Sequence, residues 1–205
     1  MLGYQNSLSY VSLQGSREHP LAEAAEKFAT YEDLFEVPDN LVAEIIYGHL
    51  YTSPRPALRH ALASSSLGGE LFNPFRKGKG GPGGWWILDE PELHLGSDIL
   101  VPDLAGWRRE RMPELPETAF FELVPDWICE VLSPSTARMD RAEKMPLYAK
   151  YGVRHLWLID PDVQTLEAYE LRDENWVLFV TLDKDKPVSV PPYDAAEFPL
   201  SALWA

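Results

Sequence analysis

Glu130 stands near the end of an apolar run, WICEVL, and a Ser-Pro-Ser-Thr turn follows it. Next comes a helix-forming segment with Asp140 and Lys144 four positions apart, and then a second apolar run, HLWLID. A strand-borne carboxylate beside a helix-borne lysine is equipment for metal-assisted hydrolysis of a phosphodiester. The acid binds a hard cation through oxygen, and the ammonium offsets phosphate charge or orients water. Such a site needs a second acid, and Asp103 in VPDLAGW is the candidate. Each group also has a plainer reading. Glu130 could be a strand-end acid in a structural ion pair. Asp103 could be one more Pro-Asp turn, like Pro38-Asp39, Pro125-Asp126 and Pro161-Asp162. Asp140 and Lys144 could be an exposed i,i+4 pair worth roughly 0.2–0.5 kcal/mol. His60, next to Arg59, could contact a phosphate or carry a proton, or could be an ordinary packed helix residue.

The elements that must position these groups follow from the hydrophobic pattern. Strand, helix and strand between Pro125 and Pro161 predict a βαβ-like unit. Along the central strand, alternation puts Asp126, Ile128, Glu130 and Leu132 on one face and Trp127, Cys129 and Val131 on the other. Glu130 therefore has apolar neighbours and needs a cation or a lysine as partner. The helix is predicted over Arg138–Tyr151, with a kink or late start at Pro146 and a stop at Gly152. LVAEIIYGHLYTSP predicts two strands about Tyr47-Gly48-His49, and ALRHALASSSLGGELF predicts a helix. FRKGKGGPGG predicts a loop without regular structure. WWILD, Leu104–Trp107, HLWLID, TLEAYEL and NWVLFVTL predict strands, with a turn at Asp173-Glu174-Asn175 and a short closing turn or helix in EFPLSALW. LAEAAEKFATYEDLF predicts a helix running to about Phe35. The sum is an α/β protein with a mixed central β-sheet flanked by helices. Residues 1–25 read as a flexible extension and 26–205 as a single domain.

Composition bounds the function. The chain is 45% hydrophobic with 7 Trp, ample for a core. A single cysteine, Cys129, excludes an internal disulfide and a CxxC zinc site, which fits a reducing cytoplasm. No apolar run is long enough to span a membrane, and the first residues lack the basic start and apolar core of a secretory signal. The net charge of −14 argues against a nucleic-acid partner, but its distribution softens that argument. Residues 54–159 hold 14 acids and 13 bases, and the bases cluster: Arg55 and Arg59; Arg76, Lys77 and Lys79; Arg108, Arg109 and Arg111; Arg138, Arg141 and Lys144. These are either solvated loop charges or the surroundings of a site for an anion. His60, Arg138 and Arg141 are the candidates for substrate contact.

AEIIYGHLYTSPRP, VPDLAGW and PDWICEVLSPSTARMDRAEKMPLYAKYGVRHLWLIDP together resemble the Uma-two family of restriction-endonuclease domains, in the PD-(D/E)XK nuclease superfamily. The resemblance runs from about Thr30 to Leu182, and its specific part is EVLSPST with the downstream Asp, Lys, Tyr, Gly-Val and WLIDP. It implies a restriction-endonuclease-like core, a bacterial source, DNA as substrate, and Mg²⁺ or Mn²⁺ as cofactor. Asp103 would be the acid of the PD element and Glu130 that of the (D/E)XK element, with Glu44 joining the metal shell. Leu132 stands where the lysine of that motif belongs, and Lys144 would replace it from the following helix. The expectation is a metal-dependent endonuclease, by analogy a homodimer or higher homo-oligomer. The alternative is a catalytically silent relative that keeps the fold as a binding or assembly module. Two-carboxylate glycoside hydrolysis finds no support in a sugar-cleft signature.

Overall fold

The computed structural model describes residues 28–204. Two sheets dominate. The smaller is built from β1 (Leu41–Ile46), β2 (His49–Pro54), β4 (Leu93–Leu95) and β5 (Asp98–Leu100), in the order β2-β1-β5-β4. The larger contains β3 (Trp85–Asp89), β6 (Leu104–Arg108), β7 (Trp127–Val131), β8 (His155–Asp160), β9 (Thr165–Arg172) and β10 (Asn175–Asp183), in the order β10-β9-β8-β7-β6-β3. Only β7 and β8 in it are parallel; every other pairing is antiparallel. A parallel pair needs a crossover, and the segment between them supplies it as the predicted helix. The mixed sheet and the βαβ unit are as the pattern predicts; the separate four-stranded sheet is an addition to it. A last two-stranded pair, β11 (Pro187–Val188) with β12 (Phe198–Pro199), leads into a 3₁₀ turn at Leu200–Leu203, the predicted closing element.

Local chemistry explains the turns. Tyr47 and Gly48 join β1 to β2, and Asp173 and Glu174 join β9 to β10, all four at positive φ. Such pairs match the twist of the strands they connect. The crossover is α3 (Ala137–Met139), a wide π-turn (Asp140–Lys144) and α4 (Met145–Tyr151). In a regular helix the Pro146 ring would clash with the carbonyl four residues earlier. The wide turn just before it, closed by Met145 N donating to Asp140 O, absorbs that conflict, so where a kink or a late start was expected the helix bulges and α4 starts anew at Met145. Gly152 ends it in the left-handed conformation, as predicted.

Two further expectations are corrected. Phe28–Thr30 are not helical, and the helix α1 spans only Tyr31–Leu34. Thr30 is extended and its N–H and hydroxyl both donate to the Asp33 carboxylate, a cap that starts the helix there. The rest of the expected helix and the extension over 1–25 lie outside the described residues. FRKGKGGPGG is not all loop: α2 (Leu58–Leu71) continues into a π-turn at Phe72–Arg76 because Phe75 is buried in the core.

Both faces of β7 are covered. Trp127, Cys129 and Val131 pack with Ala63, Leu67 and Leu71 of α2. Ile128 and Leu132 pack with Leu147 and Tyr148 of α4 and with Leu95 and Leu100 of the smaller sheet. Around the buried Tyr193, ring centroids of Phe75, Trp85, Trp127 and Trp157 lie at 4.7, 4.8, 4.9 and 5.7 Å. Such pairs contribute about 0.5–1.5 kcal/mol each beyond area burial. No helix among the described residues is long and apolar enough to cross a membrane. Gly106 lets this cluster close, since a Cβ there would collide with the Tyr193 hydroxyl and press on Trp127. Gly106→Ala is therefore expected to lower unfolding stability by about 1–3 kcal/mol, read from urea denaturation; an unchanged midpoint would show the cluster to be loosely packed.

Candidate active site

Glu130 leaves β7 on the face that α4 covers, with Ile128 and Leu132. The same packing aims one stripe of the crossover helix at it: Asp140, Lys144 and Tyr148, each four residues from the next. Lys144 Nζ lies 2.8 Å from Glu44 Oε1, 3.2 Å from Glu130 Oε1 and 3.7 Å from Asp140 Oδ1. Tyr148 donates its hydroxyl proton to Glu130 Oε1 at 2.5 Å. All of these residues are buried. Glu44 comes from β1 and accepts from Val101 N at 2.8 Å. Asp103 sits where the chain passes from β5 in one sheet to β6 in the other, and accepts from Val131 N at 2.6 Å. Its other oxygen is 3.2 Å from His60 Nε2, on the first turns of α2.

Charge is crowded here. Four carboxylates, Glu44, Asp103, Glu130 and Asp140, face one ammonium and one imidazole. Burial pushes the Glu130 carboxyl well up; Lys144 pulls it back, and the charges of Asp140, Asp103 and Glu44 push it up again. Burial likewise raises Asp140 to about 6, against the pull of Lys144. For Lys144 itself burial favours the neutral amine, but Glu130, Glu44 and Asp140 outweigh it and hold the ammonium well above its ordinary range. Burial lowers His60, and the hydrogen bond and charge of Asp103 more than reverse that, so the net shift is upward.

These groups line a cavity of about 260 Å³. Of the residues singled out from the sequence, Glu44, His60, Asp103, Glu130 and Lys144 line it together. Arg138 and Arg141 do not. Arg138 is exposed, and Arg141 makes a two-bond pair with Glu167 at 2.8 and 3.1 Å. Asp140, Tyr148 and the Ser133–Thr136 turn belong to the site but were not singled out for it. The i, i+4, i+8 spacing of Asp140, Lys144 and Tyr148 is the signal that points to them. Cys129 is buried in the α2-side core and lies on the opposite face.

The donor set suits a hard cation: the acids offer only oxygen, which Mg²⁺ and Mn²⁺ prefer. Glu44, Asp103, Glu130 and Asp140 outnumber the one ammonium beside them, so the cavity wall carries acid in excess. No group of three or more metal-capable side chains is already gathered about one point among the described residues, because Lys144 occupies the middle of the acids.

A family model, Uma2, described as putative restriction endonuclease, matches residues 26–201. The chain belongs to the Uma2 family. Comparison with curated proteins returns no match. Among solved structures, this Uma2 chain is similar to a putative nuclease belonging to DUF820 from Anabaena variabilis ATCC 29413. The two are 23% identical with a TM-score of 0.68, over 84% of this chain and 95% of that one. At that identity the likeness shows the fold, which is nuclease-like.

The ion cluster makes a stability prediction for the metal-free Uma2 domain. Lys144→Met leaves three buried acids without their cation and is expected to cost about 3–5 kcal/mol. Asp140→Asn is expected to stabilise by about 1–2 kcal/mol at pH 8, because it removes a carboxylate whose charged form folding disfavours. The folded pKa of about 6 lies above the ordinary aspartate value of 3.8. The cost of the charged group is thus full above pH 6, shrinks as pH falls from 6 to 4, and vanishes below. Urea midpoints of wild type and Asp140→Asn should converge over that window; a constant offset would place the effect elsewhere.

Proposed function

We propose that this chain is a divalent-metal-dependent endonuclease of the PD-(D/E)XK type that hydrolyses DNA phosphodiester bonds. Membership in a family described as restriction endonucleases supports nuclease activity. One observation carries the rest: the Lys144 ammonium is seated among Glu44, Glu130 and Asp140 on the wall of a cavity that Asp103 and His60 also line. Leu132 is packed in the core where the motif lysine would stand, and Lys144 reaches the same acid from the crossover helix.

In this reading the chain's own groups do the following. Glu44, Asp103 and Glu130 are the cation ligands. A divalent cation such as Mg²⁺ or Mn²⁺ bound there would supply positive charge against the phosphate and the charge that develops on it. Lys144 stays protonated and adds fixed positive charge to the same wall. Tyr148 and Lys144 both donate to Glu130 Oε1 and so fix that carboxylate's orientation. In hydrolysis, the oxygen of water bonds to phosphorus, its proton passes to solvent, and one P–O bond to the sugar breaks. The leaving oxygen takes a proton, which in this reading His60, on the cavity wall beside Asp103, would give. A homodimer would present two such cavities to the two strands.

The silent reading, a nuclease fold kept for binding or assembly, has one observation in its favour: Lys144 already satisfies the acids that a cation would need. Supercoiled plasmid separates the two. We expect nicking with Mg²⁺ or Mn²⁺, none with chelator, and a loss of about 100-fold or more in Glu130→Gln. Mn²⁺ should also raise the melting temperature of wild type and not of Asp103→Ala. Folded protein that neither cuts nor gains stability with either cation would favour the silent module.

A further inference from the structure

Among the described residues, eight lysine and arginine side chains, including Arg55, Arg111 and Lys150, lie within 4.0 Å of an acid. Arg76, Lys77, Lys79, Arg108 and Arg109 make no ion pair among the described residues, although acids outnumber bases 32 to 18. These five meet on one edge of the larger sheet. Arg76, Lys77 and Lys79 follow the end of α2, while Arg108 and Arg109 end β6 beside the edge strand β3.

Aromatic rings hold four of them. Arg76 sits over Phe72 at 5.0 Å and Lys77 over the same ring at 4.6 Å. Arg108 lies over Trp85 at 4.6 Å and Arg109 over Trp86 at 4.0 Å. A guanidinium resting on a ring keeps its in-plane N–H donors free and loses little entropy on binding an anion. Arg109 spends one Nη on the Arg76 carbonyl, and its Nε has no partner. Between Trp85, Arg108 and Arg109 the backbone of Gly83 and Gly84, both at positive φ, lines a second cavity of about 350 Å³. Glu110 and Asp194 line it too, but neither is within ion-pair distance of an arginine.

We propose that this edge is a second surface, separate from the acidic cavity, that binds the phosphate backbone of a nucleic acid. It rests on the nuclease reading in one respect: the surface would hold a flank of the DNA whose scissile phosphate lies in the cavity. The separation suits that role. Asp103 precedes β6 and Arg108 ends it, about 17 Å apart at ~3.3 Å per residue. α2 carries His60 near one end and leads to Arg76 at the other, a length of about 21 Å. That is about five to six steps along a duplex. Planar donors in fork geometry match phosphate oxygens, and the distance to the cavity, a few steps of a duplex, favours a nucleic acid over an acidic protein segment.

The test is fluorescence anisotropy of a labelled 30-bp duplex with the full chain in chelator, at several salt concentrations. Arg76→Gln/Lys77→Gln/Lys79→Gln is expected to weaken binding about tenfold or more and to lower the salt slope by about 2–3. Lys77→Gln/Lys79→Gln, at two exposed side chains, guards against misfolding of the triple variant and should lower the slope by about 2. Arg109→Lys, which keeps charge but loses the fork, should weaken binding less than the triple variant. Wild-type affinity and slope in both Gln variants would overturn the proposal, even with plasmid nicking intact. Reduced slopes in a protein that cuts nothing would uphold the surface and sink the nuclease reading. Displacement of the duplex by polyglutamate as readily as by unlabelled DNA would overturn the assignment to nucleic acid.

Discussion

An ammonium group buried among three carboxylates is the constraint on which the rest of this molecule depends. Lys144 cannot be desolvated alone, and neither can Glu44, Glu130 or Asp140. Glu44 comes from β1, Glu130 from β7, and Asp140 and Lys144 from one turn of the crossover, so the cluster exists only when the hairpin of the smaller sheet, the centre of the larger sheet and the crossover helix are all in place. The acids are tied further through the backbone. Glu44 accepts from the amide of Val101, two residues before Asp103, and Asp103 accepts from the amide of Val131, the residue after Glu130. Each carboxylate is thereby pinned next to the segment that carries another.

That arrangement is costly for the fold and useful to a site. Burial raises Asp140 to about 6, and the carboxylates gathered with it outnumber the one ammonium at the cavity wall. A structural ion cluster would be expected to balance its charges, and this one carries more acid than base. In the metal-dependent reading proposed above, a bound cation would offset that imbalance. The wide turn at Asp140–Lys144 fits the same picture. It contains both the acid and the lysine, and π-turns inside helices recur at functional positions because they re-aim side chains at a local cost. Here Pro146 gives the turn a second cause, since a regular helix could not accommodate that ring.

Much of this was legible in the sequence. Alternation along WICEVL put Glu130 on the Ile128 and Leu132 face, and that is the face the crossover helix covers. The βαβ reading required a helix there, which is how a lysine fourteen residues downstream can reach the acid. Other features were not legible, for physical reasons. The separate four-stranded sheet depends on non-local pairing, such as Ile45 with Ile99, that no local pattern encodes. Arg138 and Arg141 were singled out for substrate contact by proximity in sequence to Lys144. Neither lines the cavity, and Arg141 pairs with Glu167 on β9. Tyr148 reads as a core aromatic, and it is one; its hydroxyl becomes part of the site only because Glu130 is buried within reach.

The two ends of β6 state the electrostatic logic of the whole. Asp103 lies just before it, with three other carboxylates and one lysine, and Arg108 closes it, among cations held on tryptophan and phenylalanine rings. A chain of net charge −14 repels a polyanion at long range, so any approach must be local and oriented. Unpaired bases on one edge give such a polyanion a place to land. The acidic cavity at the far end would repel it until a cation neutralises the carboxylates. On the two readings proposed above, polarity along one strand separates holding from chemistry: contact at the basic end would not need the metal, and engagement at the acidic end would.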